Sequence, residues 1–401
     1  MKRIIVIAFH NMKRLLFALA IVSLICIAFG ADAASADNVG TPEPLSDISA
    51  QSDGETETGN DRLGAQFESG GLYYEVAEYE GVQGLHACVI APPDDKKADY
   101  LKGVKTVEVP PFVTDPVTGD TYSVYETNGA FNDLPELEEV RMPYVTDVYD
   151  FYNLPRLHSI ELSRYTNELG GFRNLPSLKT LNIPESLRDL SPGCFQNVGI
   201  ENFYLPVRIH AIPTHSLWMK STGEIWLPGL QSTDRYSLYL NLDKFVLPPW
   251  FAYSDYHSIV GRIDEIRFLD DGVDRECQLD LHSFVCETKR IYCEKRVPPV
   301  ITDHDGFDTA IPEEVIFLGP EKVRDITLYV PEDCVETYRQ APIWNRMKIV
   351  AHNFDSDIES IEKDDLRENR GILYDLSGRV VTTLSPRPGI YVRDGKKVLI
   401  K

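Results

Sequence analysis

From residue 67 onward, apolar and polar positions alternate with a period of two, as in Leu72-Tyr73-Tyr74-Glu75-Val76 and Lys105-Thr106-Val107-Glu108-Val109. That period sends successive side chains to opposite faces and predicts strands buried on one side. A longer period begins at Phe131. The segment Phe131-Asn132-Asp133-Leu134-Pro135-Glu136-Leu137-Glu138-Glu139-Val140-Arg141-Met142 recurs as Phe151-Tyr152-Asn153-Leu154-Pro155-Arg156-Leu157-His158-Ser159-Ile160-Glu161-Leu162. A third copy is Phe172-Arg173-Asn174-Leu175-Pro176-Ser177-Leu178-Lys179-Thr180-Leu181-Asn182-Ile183, and a degenerate one runs from Phe195 through Phe203-Tyr204-Leu205-Pro206. The phenylalanines are spaced by 20, 21 and 23 residues.

Self-similarity at this spacing around an L-x-x-L-x-L core is the pattern of a leucine-rich repeat. Each copy predicts one short strand, with Val140/Met142, Ile160/Leu162, Leu181/Ile183 and Phe203/Leu205 turned inward. The Phe and the Leu of Asn-Leu-Pro fold beneath them. One copy cannot bury such a face, whereas stacked copies share a continuous core. About five large apolar side chains per copy would contribute roughly 1.5–3 kcal/mol each before chain entropy is subtracted. Less regular strands at Ile225-Trp226-Leu227, Phe245-Val246-Leu247, Ile266-Arg267-Phe268 and Ile291-Tyr292-Cys293 carry the array from residue 129 to 295. An irregular closing piece, 296–352, would cover the last strand edge. The expected fold is mostly β: a leucine-rich-repeat solenoid of short parallel strands with an irregular, 3-10-containing convex side. A β-rich N-terminal cap over 67–128 and a small antiparallel β module over 371–401 complete it.

The two ends read differently. Met12-Lys13-Arg14 precedes an apolar run over 15–29, and Gly30-Ala31-Asp32-Ala33-Ala34-Ser35-Ala36 follows with small residues. Fifteen apolar residues fall short of the roughly 20 that span a bilayer, so 1–36 predicts an export signal, with a retained anchor as the alternative. Residues 37–66 and 353–370 are acidic and poor in apolar groups, and read as linkers. In the tail, Asp394-Gly395 between two alternating runs predicts a hairpin.

Charge and cysteine content narrow the chemistry. The 401 residues hold 40 Lys and Arg against 62 Asp and Glu, a net charge of −22, which argues against nucleic acid or an anionic membrane as partner. Beyond Cys26 in the export signal there are Cys88, Cys194, Cys277, Cys286, Cys293 and Cys334. Their pairing in an oxidising compartment is left open, and Cys194 reads as a buried filler. Neither G-x-S-x-G, H-E-x-x-H nor a phosphate-cradling glycine loop occurs. Asp303-His304-Asp305 reads as a turn rather than a metal site. The run Asp270-Asp271-Gly272-Val273-Asp274 lacks the spacing of a calcium loop. No enzyme, cofactor or metal is expected.

Three stretches carry a family resemblance: Gly119-Asp120-Thr121-Tyr122-Ser123-Val124 leading to Gly129-Ala130-Phe131, the repeats, and Leu328-Tyr329-Val330-Pro331-Glu332-Asp333-Cys334-Val335-Glu336-Thr337-Tyr338 with Ala341-Pro342-Ile343-Trp344-Asn345. Over about residues 67–352 the sequence resembles the BspA-like leucine-rich repeat proteins exported by Bacteroidetes-type bacteria. It departs from them where Asn-Leu-Pro replaces much of the usual cysteine- and alanine-containing loop. The tail, in Tyr374-Asp375-Leu376-Ser377-Gly378-Arg379, Gly389-Ile390-Tyr391-Val392 and Lys397-Val398-Leu399-Ile400-Lys401, resembles a shortened C-terminal sorting module of the type IX secretion pathway. The resemblance implies an exported, cell-surface or secreted, non-catalytic adhesion protein that holds a host or matrix protein. The alternative is a glycan-binding accessory in nutrient capture.

The residue between the two inward positions of each strand faces the open side of the sheet. That column reads Arg141, Glu161, Asn182, Tyr204, Trp226, Val246, Arg267 and Tyr292. Neighbouring strands lie about 4.8 Å apart, so Tyr204 and Trp226 are expected side by side as an exposed aromatic pair flanked by Asn182 and Arg267. Such a pair suits a glycan ring or an extended protein partner, or simply stabilises the sheet. The aromatics of Trp250-Phe251-Ala252-Tyr253-Ser254-Asp255-Tyr256 are expected to pack under a connection.

Overall fold

The computed structural model describes residues 62–79, 81–219, 223–302, 325–357 and 359–361, with 373–375, 381, 389–393 and 396–400 of the tail. The expected export signal, most of both linkers, Asp303-His304-Asp305 and the Asp394-Gly395 turn lie outside them. All of the described residues belong to one unit, 60–401.

The phenylalanines set the core. Phe131, Phe151, Phe172 and Phe195 are fully buried. Their rings follow one another at 5.4, 5.3 and 5.2 Å between centroids, one ring per coil of the chain. Leu134, Leu154 and Leu175 join the same core. The Asn of Asn-Leu-Pro turns the chain into this core: Asp133, Asn153, Asn174 and Asn197 all have φ between 54° and 58°. Asn and Asp are the residues other than glycine that tolerate this left-handed conformation most readily. The same side chains tie coil to coil, with Asn153 Nδ2 donating to Asp133 Oδ1 at 2.7 Å, and Asn174 to Asn153 and Asn197 to Asn174 at 2.8 Å.

Stacked coils place their short strands in parallel ribbons. The phenylalanine ribbon runs through Thr121–Asn128, Asp147–Tyr152, Glu168–Leu175, Phe195–Val198 and Leu217–Trp218 to the first halves of Leu238–Leu247 and Ile259–Phe268. An outer ribbon begins as Thr106–Glu108, Glu139–Arg141 and Ser159–Glu161. It resumes as Asn202–Tyr204 and Glu224–Trp226. Further on it comprises residues 244–247 and 265–268, then Arg290–Cys293, Thr327–Pro331 and Lys348–His352. A third ribbon, Ala211–Ile212, Ser232–Thr233, Tyr253–Ser254, Gln278–Asp280 and Val300–Thr302, turns hydroxyls inward on two of its strands, with Thr233 Oγ1 donating to Ser254 Oγ at 3.1 Å.

Parallel stacking is as the repeat pattern predicts, but each coil is built differently. The phenylalanine segment, expected as irregular, is itself a strand, and later coils add a third. In the opposite sense, residues 176–188 carry no strand, and Leu181 and Ile183 there are only partly buried. Among the described residues, helix is confined to short pieces near the C-terminal end, such as Val335–Gln340. Gly261, at φ 122°, marks a close approach between coils: a Cβ there would lie 2.1 Å from the Leu240 carbonyl oxygen.

Antiparallel strands Gln66–Ser69, Leu72–Glu78 and Leu85–Ile90 precede the coils, the last pairing in parallel with Thr121–Asn128. At the other end Tyr338 and Trp344 are buried, donating to the Lys295 and Pro299 carbonyls at 2.7 and 2.8 Å. In the tail, Gly389–Arg393 and Lys396–Ile400 pair antiparallel with Arg393 opposite Lys396, the register a two-residue hairpin requires. Leu373, Val398 and Ile400 form a small core there. All six described cysteines are buried free thiols.

Candidate binding surfaces

The outer ribbon brings part of the sequence column together. Arg141 stands in register between Glu108 and Glu161. Its guanidinium lies 3.3 Å from Glu139 and 4.0 Å from Glu161. Both Arg141 and Glu161 are exposed. Asn182 is exposed too, but it sits in the stretch without a strand, and the column is interrupted there.

Tyr204 and Trp226 are register partners, as the spacing predicts. They are not an open pair, however: Trp226 is 7% exposed and packs with Val246 and Leu269, with Tyr204 against them. Leu269, the residue just past the end of Ile259–Phe268, belongs to the same buried cluster as the indole. The Tyr204 hydroxyl donates to Glu224 at 3.2 Å.

Further along, the column becomes a continuous stack. Arg267, Tyr292 and Tyr329 are register partners. The Arg267 guanidinium lies 4.4 Å from the centre of the Tyr292 ring. Tyr292 and Tyr329 stack at 4.4 Å with 8° between planes. His352 meets both rings edge-on, and Phe354 stands 4.7 Å from His352. Glu265 orients the assembly from the strand edge, 2.7 Å from Arg267 and 3.4 Å from Arg290. Burial, followed by the Glu265 charge, raises the Tyr292 phenol, which keeps it neutral and a hydrogen-bond donor. Beside the stack lies a cavity of about 630 Å³ walled by Asp270, Glu294, Arg296, Asp333, His352 and Phe354 among others. Arg296 pairs with Asp333 at its rim and lowers that carboxyl's pKa. The sequence column stopped at Tyr292, although the alternation of Leu328-Tyr329-Val330 was a sufficient signal to extend it.

A second surface was not foreseen. At one corner of four successive coils, two residues before the strand, a residue adopts positive φ: Gly193, His215, Tyr236 and His257 in turn. The first is glycine, and the next three carry rings. His215 stacks on Tyr236 at 5.4 Å, Tyr236 meets His257 edge-on at 5.4 Å, and Tyr256 lies 3.9 Å from His257. His282 continues the row beside Tyr256. Trp218 and Tyr239, register partners on the adjoining strands, flank it at 5.7 Å from each other. His215 is exposed and the other six are half-buried. Repeat-length spacing between His215, Tyr236 and His257 was the available signal. Of the aromatics expected under a connection, Phe251 is buried but Tyr256 belongs to this row.

A third feature is electrostatic. Glu126, Asp147, Glu168 and Asp189 stand in register on four successive strands. Burial, then Glu168, Glu126 and Asp189, pushes the Asp147 carboxyl up to about 6. The thiols are inert by contrast, with burial raising Cys277 to about 12 and Cys293 to about 11.

Residues 127–249, less than a third of the chain, match the BspA type leucine rich repeat region in six copies. No curated protein matches the sequence. Among solved structures, a leucine rich cell surface protein from Faecalibacterium prausnitzii is similar at 13% identity and TM-score 0.40, covering 59% of this chain and 72% of that one. A leucine-rich repeat protein from Bacteroides ovatus is similar at 10% identity and TM-score 0.30, over 75% and 85% of the two chains. The pneumococcal vaccine antigen PcpA is similar at 11% identity and TM-score 0.28, over 73% and 100%. Among the described residues no helix is long and apolar enough to cross a membrane.

Proposed function

We propose that the chain is an exported, non-catalytic binding protein of the cell surface or its surroundings, which holds a protein ligand on the outward column of its outer ribbon. Arg141 and Glu161 supply exposed charge at one end, and Arg267 and Tyr292, with Tyr329, supply the anchor at the other. Asn182, Tyr204 and Trp226 lie between them, Trp226 mainly as packing. The observation that carries this reading is the register-paired stack from Arg267 to Tyr329 beside the 630 Å³ cavity. Partly buried aromatics and arginines are the groups that most often dominate protein interfaces. A protein ligand is favoured over a glycan because the Tyr292 and Tyr329 rings lie face to face at 8°. A sugar ring stacks on an open aromatic face, and these two faces are turned on each other. The BspA-type match over 127–249 agrees with a surface role.

Probing immobilised protein and glycan panels with the full chain tests the reading. A protein ligand whose binding weakens about tenfold in Arg267→Ala/Tyr292→Ala is the expected result. Binding unaltered by those changes rejects the face, and binding confined to polysaccharides favours nutrient capture instead. The tail, as a sorting module, extends the proposal to outer-surface display. Deleting residues 371–401 is then expected to hold the protein inside the outer membrane, and normal display of the truncated chain would refute that part.

A further inference from the structure

The corner row of rings lies on a different ribbon from the proposed ligand face and has a chemistry of its own. Positive φ costs a residue with a Cβ about 1–2 kcal/mol, and the usual occupants are glycine, asparagine and aspartate. The first coil with this corner obeys that rule with Gly193; the next three place His215, Tyr236 and His257 there instead. These rings remain partly exposed, so burial returns only a fraction of its usual stabilisation, and a strained backbone of this kind points to use.

Charge says what the row would meet. Asp234, Asp255 and Asp280 form a column beside it, each one position beyond the register-paired Thr233, Ser254 and Leu279 of the third ribbon. Asp234 is exposed, Asp255 half-buried and Asp280 buried. Arg235 reaches Asp255 at 3.4 Å, and Asp280 accepts the His282 backbone N–H at 2.8 Å. Asp234 and Asp255 thus place two accessible carboxyl groups on this edge, on a chain of net charge −22. Partial desolvation, followed by the neighbouring Asp255, raises the Asp234 carboxyl.

An earlier coil shows how a cation can sit beside such rings. Where the strand column next to this corner supplies an arginine, it lies over the neighbouring ring: Arg173 is 5.3 Å from the Tyr152 ring centre. Two coils later the same column holds Trp218 and Tyr239, with Gln196 before them and Val260 after. Rings thus continue in the column beyond Arg173, its one arginine.

We infer that the corner row formed by His215, Trp218, Tyr236, Tyr239, Tyr256 and His257 is a docking surface for an arginine-bearing segment of a partner protein, whose guanidinium groups stack on the rings and face Asp234 and Asp255. This surface is independent of the outer ribbon and stands whether or not that face binds a ligand.

Fluorescence anisotropy with a labelled peptide of alternating arginine and glycine, titrated with the full chain, tests the inference. Saturable binding that weakens as salt is raised is expected. In His215→Gly/Tyr236→Gly the corner adopts the residue already present at Gly193, so the melting temperature should hold or rise, while binding falls about tenfold through loss of two rings. Both changes leave the carboxylates in place, so equal affinity in variant and parent would reduce the binding to general charge attraction and overturn the inference. Absence of peptide binding would overturn it as well. So would a neutral oligosaccharide that binds the parent and not the variant, which would assign the rings to a glycan. Asp234→Asn with Asp255→Asn should weaken the peptide without touching a ring, and no effect there would also count against it.

Discussion

Asp147 shows how a single side chain reports on the stacking. A carboxyl whose folded pKa lies above its unfolded value is penalised in the native state when ionised, and the penalty is relieved as pH falls through the folded pKa. For Asp147 that relief begins at about 6 and is complete below the ordinary carboxylate range. Asp147→Asn is therefore expected to raise the melting temperature above pH 6, with a gain that shrinks and disappears on acidification. A gain of the same size at all pH values would show that the carboxylate column is not the cause. Trp226 carries a different lesson. Period-two reasoning put it correctly on the outward side of its strand, but exposure depends on the neighbouring coil, and Leu269 arrives from two strands away. No spacing within one copy contains that information.

At the level of the element, the Asn-Leu-Pro corner joins local conformation to packing. Asn174 holds φ 56° and takes part in two side-chain bonds, one to the coil before and one to the coil after. Asn174→Ala loses both bonds and adds the left-handed penalty, together about 2–4 kcal/mol, whereas Asn174→Gly loses only the bonds, about 1–2 kcal/mol. Urea denaturation of the two variants separates the contributions, and equal losses would contradict the conformational part. The stacking of Phe131, Phe151, Phe172 and Phe195 was legible because identical large residues at a fixed period have one economical arrangement, a shared core. The second and third strands of each coil were not legible. Segments such as Ala211–Ile212 and Ser232–Thr233 are two residues long, too short to show any alternation. The left-handed corner at His215, Tyr236 and His257 was hidden for a related reason, since histidine and tyrosine give no local sign of positive φ.

Across the whole molecule, the coils act as a scaffold that converts one residue per turn into a surface column. The carboxylate column, the outer-ribbon stack and the corner rings are all consequences of register, and each would dissolve if neighbouring strands were offset. Register also explains why much of the candidate site could be read in advance. Arg141 and Glu161, Tyr204 and Trp226, and Arg267 and Tyr292 are partners because the copies were aligned correctly. Asn182 fails only where its coil lacks the strand. Cysteine cross-linking on the exposed column Glu108, Arg141 and Glu161 tests this register most directly. Adjacent strands place facing Cα atoms about 4.8 Å apart, within reach of a disulfide, and alternate strands about twice as far, beyond it. Glu108→Cys/Arg141→Cys and Arg141→Cys/Glu161→Cys should each form an intramolecular bridge on mild oxidation, read by intact mass, while Glu108→Cys/Glu161→Cys stays reduced. A bridge in the skipping pair, or none in the adjacent pairs, would contradict the stacked arrangement and with it every surface derived from it.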